Sequence, residues 1–221
     1  MLTSLVGSEM CIRDRVTAGP TKEMIDPVRF ISNESSGKQG YAIAETLQSL
    51  GAKTTLVSGP TSLAEPNVEQ VIKVNSADQM LEACESSLPA DIAVCAAAVA
   101  DYKIANKEIA KIKKDGSRQN MILEENPDIL ERLSKRNHLR PKLVVGFAAE
   151  TSNLERNSDE KLNKKGCDWV LGNNVSENSI FNQDTNKIYF TSKLYSENWE
   201  LMTKKEVAKK LCQKISLHLN N

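Results

Sequence analysis

Chemistry on anions needs backbone amides and cations that converge on one place, and several stretches of this chain offer such groups. From Ala18 to Gly40 the sequence carries Gly19-Pro20-Thr21, then Ser32-Asn33 and Ser35-Ser36-Gly37-Lys38, and ends at a predicted helix start. Small hydroxyl and glycine residues ahead of a helix expose N–H donors to a phosphate or carboxylate, although the same composition also suits an ordinary capped loop. Gly37-Lys38 is not a Walker A element, because Ser32 stands where its first glycine belongs and Gln39 where its Ser or Thr belongs. No G-x-G-x-x-G follows any predicted strand, so ordinary dinucleotide binding has no fingerprint.

Four further features have both a chemical and a plain reading. Cys95-Ala96-Ala97-Ala98-Val99-Ala100-Asp101 closes the most apolar run. Its small residues admit a ligand close to the backbone, and Asp101 offers a carboxylate to a hydroxyl, an amine or a metal; tight packing with a capping Asp is the alternative. Lys111-Ile112-Lys113-Lys114 is either a solvated surface run or a loop that covers a triphosphate. Lys161 and Lys165, four apart, share one helix face as surface lysines or phosphate contacts. Phe147 at a strand end either fills core or stacks on a base.

Elements able to position these groups follow from periodicity. Strands are predicted at Thr54–Val57, Val71–Val74, Ile92–Ala98, Leu143–Phe147 and Trp169–Leu171, separated by helical patterns at 41–50, 76–88, 127–135 and 154–165, with a last helix capped by Thr203 and Glu206. That alternation predicts an α/β, Rossmann-like three-layer fold around a mainly parallel sheet. Segments 103–123 and 178–201 break the rhythm and are expected to form hairpins or loops outside the βα repeat, a β-hairpin excursion with strand-like alternation at Lys187–Thr191 and Lys193–Glu197. Residues 1–15 do not fit, because Cys-Ile-Arg-Asp-Arg puts charges where a central strand should open. They are read as a foreign leader resembling translated adapter sequence, leaving 16–221 as the functional domain, and the native chain is expected to begin earlier with other residues.

Composition narrows the class further. The 221 residues carry 29 basic and 29 acidic side chains, with 40% hydrophobic and 26% charged residues, so no basic excess favours nucleic acid or an anionic membrane. The longest apolar run, Ile92 to Ala100, falls far short of the roughly 20 residues that span a bilayer. Five scattered cysteines without C-x-x-C read as buried free thiols of a cytoplasmic protein, and two histidines, His138 and His218, give little material for a zinc site or a Ser-His-Asp triad.

Taken together and in order, Asp26-Pro27-Val28-Arg29-Phe30-Ile31-Ser32-Asn33 with Ser35-Ser36-Gly37, Ala97-Ala98-Val99-Ala100-Asp101-Tyr102, Lys111-Ile112-Lys113-Lys114, Asn126-Pro127-Asp128-Ile129 and Gly146-Phe147-Ala148-Ala149-Glu150-Thr151 resemble the bacterial phosphopantothenoylcysteine synthetase domain. The resemblance covers about residues 16–221. It implies a ligase that joins 4'-phosphopantothenate and L-cysteine through an acyl-cytidylate, cleaving CTP to CMP and pyrophosphate with Mg²⁺. Asn33 and Lys111 would be catalytic, Lys111 on a flap. Arg29, Asn33, Ala97 and Ala98 would bind the pantothenate substrate. Cys95, Ala96, Ala97, Asp101, Lys111, Pro127, Asp128, Ile129, Leu130, Phe147, Lys161 and Lys165 would line the CTP site, and the metal ligands stay unassigned. The family implies a homodimer, and in many bacteria a fused flavin-dependent decarboxylase half that would carry FMN; a free-standing form and a fragment of the fused protein are both compatible with the sequence. Two positions depart from the pattern: Gly19-Pro20-Thr21 replaces Gly-Gly-Thr, and Asn174 stands where relatives often carry Asp. A nicotinamide-dependent oxidoreductase, a non-catalytic nucleotide-binding module and an ATP preference, as in eukaryotic relatives, are the rival readings.

Overall fold

The computed structural model describes residues 6–7, 10–114, 116, 120–175 and 184–220. In chain order, β1 (Val6–Gly7) and β2 (Met10–Cys11) form a short antiparallel pair ahead of β3 (Arg13–Ala18). A hairpin of β4 (Lys22–Met24) and β5 (Phe30–Ser32) leads into α1 (Lys38–Ser49), then β6 (Lys53–Ser58), β7 (Gln70–Lys73), α2 (Ala77–Ser86) and β8 (Ile92–Cys95). A second two-stranded arm, β9 (Tyr102–Ile104) and β10 (Leu123–Glu125), precedes α3 (Ile129–Ser134), β11 (Leu143–Glu150), α4 (Leu154–Lys165) and β12 (Trp169–Asn174). The chain closes with β13 (Thr185–Ser192), β14 (Ser196–Thr203) and α5 (Lys204–Leu219).

Eight strands form the main sheet in the order β14-β13-β12-β11-β8-β3-β6-β7. All neighbours from β12 to β7 are parallel, and β13 and β14 add an antiparallel edge. Parallel strands covered on both faces read as continuous apolar runs, and the core shows why. Ile92, Val94, Leu143, Val145, Trp169 and Leu171 point into the layer of α1 and α5. Their neighbours Ala93, Val144 and Val170 point into the layer of α2, α3 and α4. The expected α/β architecture is the one observed. Starting at β3, the chain steps outward through β6 to β7, then crosses to β8 on the other side of β3. The loops leaving β3 and β8 therefore diverge and open a crevice between them, the place where open α/β sheets bind ligands.

Local signals account for most element ends. Ser76 with Gln79 and Thr203 with Glu206 make the two expected capping boxes. Gly166, at φ 69°, closes α4 in the left-handed conformation that glycine adopts without strain. Two expectations change. Ile92–Ala98 is strand only to Cys95, because Ala97 N bonds the Thr17 side chain in place of a backbone carbonyl and pairing returns only as an isolated bridge between Ala98 and Pro20. Lys193–Tyr195 forms the turn of the edge hairpin, and the strand runs from Ser196 to Thr203, with Trp199 buried against Phe190. Of the 178–201 excursion, residues 178–183 lie outside the described residues.

The central strand also takes in Arg13, Asp14 and Arg15, which sequence reading set apart with the leader, so the sheet begins three residues ahead of Val16. Their side chains alternate across the sheet. Arg15 reaches out of the α2 layer to the Ser87 carbonyl (Nε to O, 2.9 Å), whereas Asp14 is fully buried on the α1/α5 side. Burial pushes the Asp14 carboxyl up to about 8, against a lowering bond from Thr54 Oγ1 at 3.4 Å. Its Oδ1 has no partner.

Candidate functional site

A cleft of about 1200 Å³ occupies the crevice at the carboxyl ends of β3 and β8. Its floor is the stretch after β8, which is fastened to β3 and the stretch after it by three hydrogen bonds and to Asn126 by a fourth. Ala97 N donates to Thr17 Oγ1 (3.2 Å), Ala98 N to the Gly19 carbonyl (2.9 Å) and Ala100 N to Thr21 Oγ1 (3.0 Å), while Asn126 Nδ2 donates to the Ala100 carbonyl (2.8 Å). Side chains no larger than a methyl at 96–98 keep that floor low, so a ligand can lie against the backbone.

One wall is the amino end of α1. Gly37 is its N-cap, at φ 75° and with no side-chain cap, and among the described residues the one first-turn amide with a side-chain acceptor is Lys38 N, which reaches Ser36 Oγ at a long 3.5 Å. A side chain at Gly37 would strain the backbone and bring a Cβ within 2.8 Å of Thr61 Cγ2. Helix amides without a cap, carrying the positive end of the helix dipole, suit an anion. Asn33 stands just ahead, with its Nδ2 donating to the Val99 carbonyl at 3.0 Å.

The opposite wall comes from α3, α4 and the end of β11. Asp128 caps α3 by accepting from Glu131 N at 2.8 Å and also pairs with Lys165 Nζ at 2.6 Å. Burial alone would raise the Asp128 carboxyl, but Lys165, the Glu131 amide and Lys161 hold it below the usual carboxylate range. For Lys165, burial works against the charge and the Asp128 and Glu131 carboxylates more than restore it, leaving the ammonium above its ordinary value. Lys161 Nζ donates to the Phe147 carbonyl at 2.7 Å. Gly146 lets Leu130 pack directly on β11, since a Cβ there would sit 2.6 Å from Leu130 Cδ2.

The cleft thus brings together Asn33, Cys95, Ala96, Ala97, Ala98, Asp101, Pro127, Asp128, Ile129, Leu130, Phe147, Lys161 and Lys165. Arg29 and Lys111 are not among its lining residues. Arg29 instead grips the segment that carries Lys111: its Nη2 donates to the Ile112 carbonyl at 2.8 Å, and buried Asp26 accepts from Ile112 N at 3.2 Å. Asp26 also accepts from Val28 N and Arg29 N, both at 2.8 Å. Burial would raise the Asp26 carboxyl; those three amides and Arg29 hold it below the ordinary range. Lys111 itself is exposed beside this anchor.

Sequence reasoning missed two cleft residues from the carboxyl-terminal elements, Asn186 of β13 and Lys204 of α5. Neither sits in a local motif; only the pairing of β13 with β12 and the packing of α5 on α1 bring them to the amino end of α1. Cys84, Cys167 and Cys212 are free and buried, as small hydrophobes should be, and burial pushes the Cys95 thiol of the cleft well up. The Cys11 side chain lies outside the described residues. Among the described residues, no helix is long and apolar enough to cross a membrane, and no group of three His, Cys, Asp or Glu could hold a metal ion.

Comparison with known proteins places these features in context. A profile of the DNA/pantothenate metabolism flavoprotein C-terminal domain matches residues 13–218. The coenzyme A biosynthesis bifunctional protein CoaBC of Haemophilus influenzae is 42% identical over 201 residues, covering 90% of this chain and 50% of that protein. Its counterpart in Bacillus subtilis is 39% identical over 205 residues, again 91% of this chain and 50% of the relative. The chain thus spans about half the length of the curated relatives it matches. A crystal structure of the C-terminal domain of a CoaBC protein superposes with a TM-score of 0.79 at 37% identity, covering 95% of this chain and 96% of that one.

Proposed function

The chain belongs to the family of DNA/pantothenate metabolism flavoprotein C-terminal domains, and from that premise we propose that it joins 4'-phosphopantothenate to L-cysteine in coenzyme A biosynthesis, with CTP as the driving nucleotide. The observation that carries this reading is that Asn33, the Ala97–Ala98 backbone and the open amino end of α1 face one another across a single cleft.

A carboxylate is a poor electrophile, so it is first activated. One carboxylate oxygen attacks the α-phosphorus of CTP, the bond from that phosphorus to the bridging oxygen breaks, and pyrophosphate leaves with its electron pair. The cysteine amine then attacks the carbonyl carbon of the acyl-cytidylate; the carbon–oxygen bond breaks, CMP departs and the nitrogen gives up a proton. Asn33 holds the carboxylate and the acyl group through its amide. The α1 amides neutralise phosphate charge, and Lys111 swings from its Asp26–Arg29 anchor over the reacting phosphate. Phe147, with Pro127 to Leu130, receives the base. CTP enters as its magnesium complex, which needs few protein ligands; Asp101 in the cleft wall and the buried, unpartnered Asn186 Oδ1 are oxygen donors of the kind such a cation takes.

The partners follow from the same reading. The substrates are small molecules, and FMN belongs to a decarboxylase half, fused or separate, rather than to this cleft. The cytoplasm supplies reduced cysteine and CTP. A second copy of this chain covers the β4–β5 and β9–β10 arms, where Phe30, Tyr102, Ile109, Ile122 and Leu123 are exposed apolar side chains outside the core.

Pyrophosphate release from CTP and Mg²⁺ with 4'-phosphopantothenate, with and without cysteine and with ATP for comparison, tests the reaction. The expected result is release with CTP in preference to ATP, and CMP with the cysteine amide only when cysteine is present. Asn33→Ala is expected to keep CTP binding and to lose roughly a hundredfold or more of turnover; wild-type turnover in that variant would remove Asn33 from the mechanism.

A further inference from the structure

Lys204 is the one cleft lysine that this mechanism leaves unused and that the structure nonetheless buries. It is the first residue of α5, only 8% exposed, and it lines the cleft beside the amino end of α1. Its backbone is fixed on both sides: Lys204 N donates to the Asp184 carbonyl at 2.8 Å, and Gln39 Nε2 donates to the Lys204 carbonyl at 3.0 Å. Asn186 Nδ2 in turn donates to Gln39 Oε1 at 3.2 Å, which ties the first turns of α1 and α5 to β13. The ammonium is treated differently. Among the described residues it has no hydrogen-bond or ion-pair partner, whereas Lys161 and Lys165 across the cleft both have one. Asn186 is 7% exposed, and its Oδ1 is likewise without a partner.

The nearest charges sharpen the contrast. Lys38, the first residue of α1, pairs with Asp184 at 2.7 Å. Burial lowers the Lys204 ammonium below its ordinary value, and repulsion by Lys38 lowers it further, against a partial opposing pull from Asp184. Two lysines at two helix starts, with the α1 amides uncapped between them, face a single carboxylate. An ammonium that has no acceptor in the protein, at the end of a largely buried side chain lining the cleft, favours a ligand that supplies one, and this arrangement calls for a group carrying more than one negative charge.

We propose that Lys204 and Lys38 form a clamp for the terminal phosphates of the nucleoside triphosphate, which Asp184 fills as an internal counterion until the phosphates displace it. The proposal rests on the cleft being a nucleotide site and adds the residues that distinguish a triphosphate from a monophosphate there. Asp184 then weakens the clamp for any anion too poorly charged to evict it, so CMP is released once pyrophosphate has left.

Calorimetric titration of the full chain with Mg·CTP, CMP and inorganic pyrophosphate tests this without requiring turnover. Lys204→Met is expected to weaken CTP and pyrophosphate binding by roughly tenfold or more and CMP by less than about twofold, and Lys204→Arg to restore most of the CTP affinity. Asp184→Asn removes an exposed carboxylate, poses little risk to folding and is expected to tighten CTP and pyrophosphate severalfold with CMP unchanged. Equal losses for CTP and CMP in Lys204→Met, or no change for CTP in both variants, would overturn the clamp while leaving the nucleotide site standing. Wild-type protein that binds neither nucleotide nor pyrophosphate would overturn both readings, whereas protein that binds pyrophosphate through Lys204 but neither nucleotide would overturn the nucleotide site and leave the clamp alone standing.

Discussion

β3 and β8 lie side by side at the centre of the sheet and send their carboxyl ends to the same cleft, yet they meet burial with opposite residue types. β8 is Ile92-Ala93-Val94-Cys95, apolar on both faces. β3 opens with Arg13-Asp14-Arg15 and becomes apolar only at Val16. The two are in register, Asp14 opposite Ile92 and Val16 opposite Val94, so position does not separate them. The difference lies in what each charged group can reach. Both arginines stand on the face where the α2–β8 connection supplies the Ser87 carbonyl and Asp91. Asp14 faces the other layer, finds one long bond from Thr54, and is held protonated instead of charged. Half of a central strand can therefore be polar if its charges escape or neutralise, while the half that carries the cleft floor stays apolar and small.

The largest test puts the β3 chemistry into β8. Val94 is fully buried, between Val16 on β3 and Val145 on β11. Val94→Asp places a carboxyl there with no escape route and is expected to destabilise by about 4 kcal/mol or more, read by urea unfolding or as loss of soluble protein. A cost no larger than the gain from repairing Asp14 would show the two strands to be equally tolerant and would break the contrast.

The converse change repairs β3. Asp14→Val fills the same space with an apolar group and is expected to stabilise by about 2–3 kcal/mol at pH 7. The pH dependence carries the same information. With its carboxyl raised from 3.8 to about 8, Asp14 binds more protons in the folded than in the unfolded chain between those values. Stability is therefore present at low pH and lost as pH rises through 8, at up to about 1.4 kcal/mol per pH unit. Urea midpoints at pH 5, 6.5 and 8 should fall with rising pH in the wild type and flatten in Asp14→Asn. A flat wild-type profile would mean that Asp14 reaches solvent.

The same contrast explains what was legible in the sequence. Ile92–Cys95, Leu143–Phe147 and the two capping boxes declare themselves, because burial on both faces and a Ser or Thr three residues ahead of Gln or Glu leave local signatures. Arg13–Arg15 do not, since their place depends on partners at 87 and 91 that no short window contains. The cleft divides likewise. Asn33, Ala97–Ala98 and Pro127–Leu130 follow strands or start helices, where loop chemistry is readable. Lys204 looks like an ordinary first-turn lysine until α5 packs beside α1, and Arg29, assigned to the substrate, turns out to grip Ile112 beside the predicted flap.

The smallest effect tests the exacting half of β3. Gly40, in the first turn of α1, faces its end: a Cβ there would lie 2.5 Å from Ala18 Cβ and 3.0 Å from the Thr17 carbonyl. Alanine is favoured over glycine inside a helix by up to about 1 kcal/mol, which offsets part of an overpacking cost of roughly 1–3 kcal/mol, so Gly40→Ala is expected to lower stability by only about 1–2 kcal/mol. Because both contacts are backbone or Cβ atoms, neither can swing aside, and α1 must move off β3, taking its open amides away from Ala97–Ala98. Nucleotide binding should therefore weaken several-fold, out of proportion to the stability change. Gly166→Ala supplies the control: that site has open space around it and a φ of 69°, so it should lose comparable stability through backbone strain while binding CTP as the wild type does. Equal binding in both variants would mean that the carboxyl half of β3 tolerates displacement as readily as its amino half tolerates charge.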